Sequence, residues 1–183
     1  MSEKELNIEK FYKNYFCIDK KDIKISLELL LKIKNAGIST EQFLDYLCQK
    51  HGFLLHGSIH EIKNGKIKLN YNKIFASDRA VVAIERSLYS NVGVNLQYPY
   101  FINEENPFVL KIHTKSDGKF IKKDKGFIYI LDRNGFKNEP EGSWQFIKES
   151  REVNFIAVIE TENNDFTYPV EFFNDFDEEL LPN

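Results

Sequence analysis

Three residues at the end of one apolar stretch could bind a small polar ligand. The stretch "LLHGS" ends in His56, Gly57 and Ser58. Together they offer an imidazole, a hydroxyl, and an unhindered backbone N–H and C=O beside the glycine. That backbone can pair with a carboxamide, and the imidazole can hydrogen-bond a sugar hydroxyl. The alternative reading of His56 is a histidine that ends a strand with an ordinary structural hydrogen bond.

A second stretch, "IFAS", places an aromatic ring beside two small residues. Phe75 supplies a flat apolar face, and Ala76 and Ser77 are small enough to admit a ring next to it. The chain then continues into "RAVVAIERSLYS", an amphipathic pattern that predicts a helix capped by Asp78 or Ser77. For "LLHGS" and "IFAS" to bind one ligand, a β-sheet must bring the ends of these two stretches together.

The composition predicts one soluble domain spanning residues 1–183. The chain has 183 residues and is 42% hydrophobic, which is enough for one hydrophobic core but short for two independent domains. No apolar run approaches the roughly 20 residues of a membrane helix, and the first residues are polar, so we expect a cytoplasmic protein without membrane contact. Cys17 and Cys48 form no CxxC pair, and no acid completes a metal set with the histidines. We expect neither a disulfide nor a metal.

The charge of the chain argues against a dedicated duplex-DNA binder. The net charge is -3, whereas neutralising phosphates requires an excess of Lys and Arg. Lysines nevertheless recur between Lys115 and Lys125, and no Lys or Arg follows Arg151. One interpretation is a solvated loop and a ragged acidic tail at 174–183; the other is a basic rim that meets a polyanionic acceptor.

The order of the predicted elements indicates an α+β fold. Capping signals and apolar spacing predict three helices within residues 1–52, over "KELNIEKFYKNY", "DIKISLELLLKIKNA" and "TEQFLDYLCQK". Residues 53–173 then read as short strands, interrupted by the one helix after "IFAS". The predicted strands are "FLLH", alternating residues on either side of Asn64 and Gly65, "KIFAS", "FVLKIHT", "GFIYIL", "SWQFIK", "VNFIAVIE" and "FTYPVEF". Such an order favours a mostly antiparallel, two-layered sheet.

The order of "LLHGS", "IFAS" and a helix resembles the NAD-binding core of ADP-ribosyltransferases of the diphtheria-toxin and poly(ADP-ribose) polymerase type. The resemblance covers roughly Phe53 to Glu160, includes "GFIYIL" and "SWQFIKESREVNFIAVIE", and implies a split β-sheet core. It implies that His56 holds the nicotinamide ribose and that the Gly57 backbone pairs with the nicotinamide amide. It further implies that Ser58 supports the adenosine side and that Phe75 stacks on nicotinamide.

The chain departs from the pattern of that family at two places. The family usually has Tyr where this chain has Phe75, so stacking is kept and one hydroxyl is lost. The family glutamate, which holds the ribose as positive charge develops, begins a later strand that resembles "SWQFIK", and Ser143 stands at its place. Glu141 lies two residues earlier and could supply the carboxylate through a turn at Gly142. Gln145 lies two residues later and could orient the ribose without a charge.

By resemblance, the expected reaction is cleavage of the nicotinamide N-glycosidic bond of NAD and transfer of ADP-ribose to a macromolecule. The acceptor would be a protein or a nucleic acid. A toxin or defence-effector role, restrained by an inhibitory protein partner, belongs to the same expectation. The alternative, favoured by the missing glutamate, is a catalytically inactive domain of this fold that binds a nucleotide or another protein.

Overall fold

Helices pack against one face of a twisted β-sheet in this α+β protein. The structure is a computed structural model that describes residues 2–15, 23–25, 27–68, 72–90, 94–97, 110–114 and 121–173. Cys17, Lys115 and the acidic tail 174–183 lie outside the described residues. Within the described part, no helix is both long and apolar enough to cross a membrane.

Capping side chains set the ends of the helices. The helices are α1 (Glu3–Tyr15), α2 (Leu27–Asn35), α3 (Thr40–His51) and α4 (Ala80–Leu88), with a 3-10 turn at Asn163–Asp165. Ser39 and Gln42 form the predicted capping box of α3, and Ser2 and Glu5 exchange the same pair of hydrogen bonds before α1. Gly52 ends α3 in the left-handed conformation, as expected.

The prediction of one helix from residue 22 to residue 36 is wrong in its first part. Ile23–Ile25 form a short strand, and α2 begins only at Leu27. The alternation of β-branched isoleucines around Lys24 suits a strand, and this segment pairs in parallel with residues 157–159 of a later strand. The N-terminal part is therefore not purely helical.

The described strands form one large sheet and three small ones. The strands are β1 (Ile23–Ile25), β2 (Leu54–Ser58), β3 (Lys66–Lys68), β4 (Lys73–Ser77), β5 (Tyr89–Ser90), β6 (Val94–Gln97), β7 (Leu110–Thr114), β8 (Ile121–Lys122), β9 (Lys125–Leu131), β10 (Lys137–Asn138), β11 (Gln145–Glu149), β12 (Glu152–Asn154), β13 (Ala157–Glu162) and β14 (Val170–Phe173). The large sheet has the order β1-β13-β9-β2-β4-β11-β10. Its pairs are antiparallel apart from β1 with β13, which confirms the mostly antiparallel prediction.

Two strand predictions need correction. The alternation before Asn64 forms no strand; only β3, after Gly65, does, and it pairs with β12 rather than with its own neighbour in sequence. The run "VNFIAVIE" is divided between β12 and β13, with Phe155 buried between them. Local alternation cannot reveal a partner that lies far along the chain.

Each face of the large sheet carries its own apolar cluster. Leu55, Ile128 and Ile130 pack with residues of α3 and α4 on the face that we call the helix face. Leu54 and Tyr129 belong to the cluster on the other face, together with Ile67, Ala76, Leu131, Phe146 and Phe155. This division follows from the alternation of side chains along each strand.

The N-terminus of α4 is capped from another helix. Neither Asp78 nor Ser77 caps it, contrary to the sequence prediction, because the residue at the cap position is Arg79 and its side chain makes no capping bond. Instead the carboxylate of Asp45, in α3, accepts a hydrogen bond of 2.7 Å from the backbone N–H of Ala80. This bond joins α3 to the helix that follows "IFAS".

Candidate functional site

The imidazole of His56 is fixed by a backbone carbonyl of the neighbouring strand. Its Nδ1 lies 2.7 Å from the carbonyl oxygen of Phe75. Because a carbonyl only accepts, Nδ1 must carry the hydrogen, and Nε2 of the neutral ring remains an acceptor. Burial lowers the pKa of His56, although the bond to Phe75 opposes that shift. The neutral imidazole is therefore suited to accept a hydrogen bond from a hydroxyl.

Strands β2 and β4 are paired over a short length. The described register between them consists of Leu55 opposite Ser77. Two residues before Ser77 in β4, the carbonyl of Phe75 bonds the His56 side chain. The His56 side chain thus links β2 to β4 at a place where backbone hydrogen bonds would join the strands in a regular sheet.

His56 and Phe75 project from opposite faces of the sheet. Tyr129 lies opposite His56 in β9, with ring centroids 6.4 Å apart, on the face away from the helices. Phe75 shares the helix face with Ser77, since side chains alternate along β4 and Ala76 packs in the other cluster. The Phe75 side chain is 44% exposed, which is unusual for a large aromatic residue in a strand. The two side chains therefore do not face one pocket, and the bond from His56 to the Phe75 carbonyl closes the gap between β2 and β4.

Gly57 and Ser58 complete the first motif in different ways. Gly57 pairs with Ile128 of β9, and a Cβ there would overlap the backbone oxygen of Ala83 in α4. The glycine is thus required for close packing of α4 on the sheet. The hydroxyl of Ser58 donates to the carbonyl of His60 and accepts from its N–H, so it closes a turn.

The two small residues of the second motif are buried. Ala76 is 7% exposed and packs beside Phe146 of β11, which lies opposite to it. Ser77 is 3% exposed, and its Oγ accepts a hydrogen bond from the N–H of Arg79. Their small size lets the strands and α4 meet closely, and Phe75 is the residue of this motif that reaches solvent.

Gln145 begins the third strand of the site. It lies opposite Ser77, which in turn lies opposite Leu55, so these three residues form a cross-strand row on the helix face. Its Nε2 donates to the carbonyl oxygen of Glu139 at 2.8 Å. The amide nitrogen must face that carbonyl, which leaves Oε1 as an oriented acceptor.

The turn before β11 carries the remaining candidates. Glu141 is exposed, and Gly142 after it has a φ of 80°. The Oγ of Ser143 accepts from the N–H of Gln145 at 3.2 Å. Sequence reasoning missed Asn138, whose side chain bonds across this turn. An Asn shortly before Pro140 and Gly142 is a turn signal that could have drawn attention to it.

The side chains offer groups suited to ligand hydroxyls and to a flat ring, but His56 lies on the face opposite to that of Phe75 and Gln145. His56 and Gln145 each present a neutral acceptor, and Phe75 presents an exposed ring. Among the described residues, no group of three or more His, Cys, Asp and Glu side chains could hold a metal ion.

Comparison with known proteins gave no relative: no family model, curated protein or solved structure matches this chain.

Proposed function

We propose that the protein is an NAD-dependent ADP-ribosyltransferase that modifies a macromolecular target. NAD would lie where β2, β4 and β11 adjoin, with His56 at the ribose, the Gly57 backbone at the carboxamide and Phe75 against the nicotinamide ring. Because His56 and Phe75 project from opposite faces of the sheet, β2 and β4 would have to separate when NAD binds. ADP-ribose would then pass to a protein or nucleic acid.

One observation carries the proposal: the three motif strands are neighbours in one sheet, in the order β2, β4, β11. The stretches "LLHGS", "KIFAS" and "QFIKE" are far apart in sequence, yet Leu55, Ser77 and Gln145 form one row across them. The short pairing of β2 with β4 is compatible with the split sheet that the resemblance implies.

In the proposed reaction the N-glycosidic bond breaks, nicotinamide departs, and positive charge develops on the ribose. A carboxylate would stabilise that charge, whereas the neutral Oε1 of Gln145 can only accept hydrogen bonds from ribose hydroxyls. Glu141, an exposed carboxylate in the turn before β11, would supply that charge. The proposal assigns orientation to Gln145 and charge stabilisation to Glu141.

A second candidate is a domain that binds NAD or another nucleotide without turnover. Gln145 favours this candidate, because the strand begins with a neutral amide that is already bonded to Glu139. Such an amide cannot stabilise positive charge as a carboxylate would. Such a protein would act by binding, with the N-terminal helices available to a protein partner.

Measuring nicotinamide release separates the two candidates. Pure protein is incubated with NAD alone, with added cell lysate, and with added nucleic acid. The transferase proposal expects release that increases with the correct acceptor. Binding of NAD without release under any condition would favour the second candidate, and absence of both would remove the proposal.

A further inference from the structure

One side chain links the two ends of the turn that leads into β11. The Nδ2 of Asn138 donates to the carbonyl oxygens of Ser143 at 2.7 Å and Gln145 at 2.8 Å. Its Oδ1 accepts from the N–H of Gly142 at 2.8 Å. These three bonds hold the turn of residues 139–144 against the strand that it enters.

Only an amide can make this set of bonds. Two backbone carbonyls need a donor, and one backbone N–H needs an acceptor, so the side chain must donate twice and accept once. Asp has the same shape but, when ionised, has no donor and would place an oxygen against two carbonyl oxygens. Ser is too short to span the same three groups. The position is therefore specific for Asn rather than for any polar residue.

Gln145 transmits the order of the turn to the candidate site. The N–H of Glu139 donates to the carbonyl of Gln145 at 3.1 Å, and Nε2 of Gln145 returns a bond of 2.8 Å to the carbonyl of Glu139. If the turn moves, the Glu139 carbonyl moves with it, and the side chain of Gln145 loses the contact that orients its Oε1.

We propose that Asn138 is a positioning residue that holds the 139–144 turn and thereby aims the Oε1 of Gln145 at a ligand hydroxyl. This proposal has a structural half, that Asn138 holds the turn, and a ligand half, that Oε1 of Gln145 faces a ligand hydroxyl. The ligand half rests on the proposed NAD site, and the structural half does not depend on it. Asn138 touches no ligand in this account and acts through Gln145.

The test compares Asn138→Ala, Asn138→Asp and wild type, with Asn134→Ala as the matched control. Asn134 lies in a neighbouring turn, and its described hydrogen bonds are made by its backbone. We expect the NAD dissociation constant to rise about ten-fold in both Asn138 variants and to stay unchanged in the control, since two or three hydrogen bonds are lost. Acidification should partly restore the NAD affinity of Asn138→Asp, because a protonated carboxyl regains one hydrogen-bond donor.

Amide hydrogen exchange provides a readout that does not depend on NAD. The amide of Gly142 should exchange about ten-fold faster in Asn138→Ala but nearly normally in Asn138→Asp, whose side chain still accepts from it. Unchanged exchange in Asn138→Ala would overturn the structural half. A lower melting temperature with unchanged NAD affinity would overturn the ligand half and reduce Asn138 to a structural residue. If wild type itself binds no NAD, the ligand half fails together with the proposed function. The hydrogen exchange of the Gly142 amide then still tests whether Asn138 holds the turn.

Discussion

At the scale of single residues, backbone carbonyls orient both candidate ligand-binding side chains. Phe75 fixes Nδ1 of His56, and Glu139 fixes Nε2 of Gln145. In each case the carbonyl occupies the donor and leaves an acceptor on the same side chain. Such preorganisation lowers the entropy lost on binding. Each side chain thus presents an oriented acceptor, to which a ribose hydroxyl would donate if NAD binds as proposed.

Separate substitutions at Gln145 and Glu141 should divide binding from chemistry. Gln145→Ala removes the oriented acceptor and should weaken NAD binding more than turnover. Glu141→Gln should keep binding and lower turnover on the order of 10²-fold, because it removes a charge that would stabilise the transition state. Single-turnover kinetics and NAD titration measure the two quantities. Full activity in Glu141→Gln with none in Gln145→Ala would instead move the catalytic role to Gln145.

At the scale of elements, the packing of α4 on β2 and β9 determines where the first motif can lie. A Cβ at Gly57 would overlap Ala83, and one at Gly126 would overlap the backbone of Ser87. The buried hydroxyls of Ser87 and Thr161, 2.6 Å apart, add a polar contact between α4 and β13. Any change at Gly57 should therefore act on the fold before it acts on a ligand.

Gly57→Ala should destabilise the protein by about 1–3 kcal/mol, because α4 must move away from β2 to admit the methyl group. Urea denaturation measures the loss. The comparison variant is Gly142→Ala. No atom of the described part of the chain lies within 4 Å of the Cβ added there, so the cost comes from the φ of 80°. A Gly57→Ala protein as stable as wild type would contradict this packing account.

Glu85, in α4, should make stability depend on pH. It is 3% exposed, and its Oε1 has no hydrogen-bond partner among the described residues. Burial raises the pKa of Glu85 to about 7 against the opposing effect of Arg86. The folded state thus keeps a proton that the unfolded chain releases near pH 4.5. The contribution of this group to the free energy of unfolding is therefore highest below pH 4.5 and falls as the pH rises to about 7, by about 3 kcal/mol.

Replacing the carboxyl with a neutral amide should remove that dependence. Glu85→Gln should be more stable than wild type at pH 8 and similar to it at pH 4, measured by denaturation at both pH values. Glu152→Gln is the control, since its side chain is 49% exposed and its ion pair with Lys66 lies at the surface. An equal difference between Glu85→Gln and wild type at both pH values would contradict the assignment.

At the scale of the whole molecule, charge could guide an acceptor to the site. Lys122 is exposed, with its Nζ 5.7 Å from the centre of the Tyr89 ring, and it belongs to the basic segment of the sequence. If that segment meets a polyanion, charge reversal at Lys122 and Lys123 should weaken acceptor modification, most strongly at low salt. Nicotinamide release without acceptor should not change. Equal loss in both assays would show that the segment supports the fold instead.

The sequence predicted those features that depend on neighbours in the chain. The strand "KIFAS" has its predicted bounds, and the capping box at Ser39 is present, because alternation and capping are local. The cap of α4 was missed because Asp45 lies 35 residues before Ala80. Asn138 was missed for a related reason: its role appears only when the turn closes on β11. The opposite orientations of His56 and Phe75 likewise depend on strand register.

The most direct measurement of the central claim is the melting temperature as a function of NAD concentration, for wild type, His56→Ala and Phe75→Ala. NAD bound to the folded state should raise the melting temperature of wild type by an amount that grows with its concentration. Each variant should lose that rise. Without NAD, the melting temperature of Phe75→Ala should stay close to that of wild type, and that of His56→Ala should be lower, because the bond to the Phe75 carbonyl is lost. An undiminished NAD-dependent rise in both variants, or no rise in wild type, would contradict an NAD site at β2 and β4.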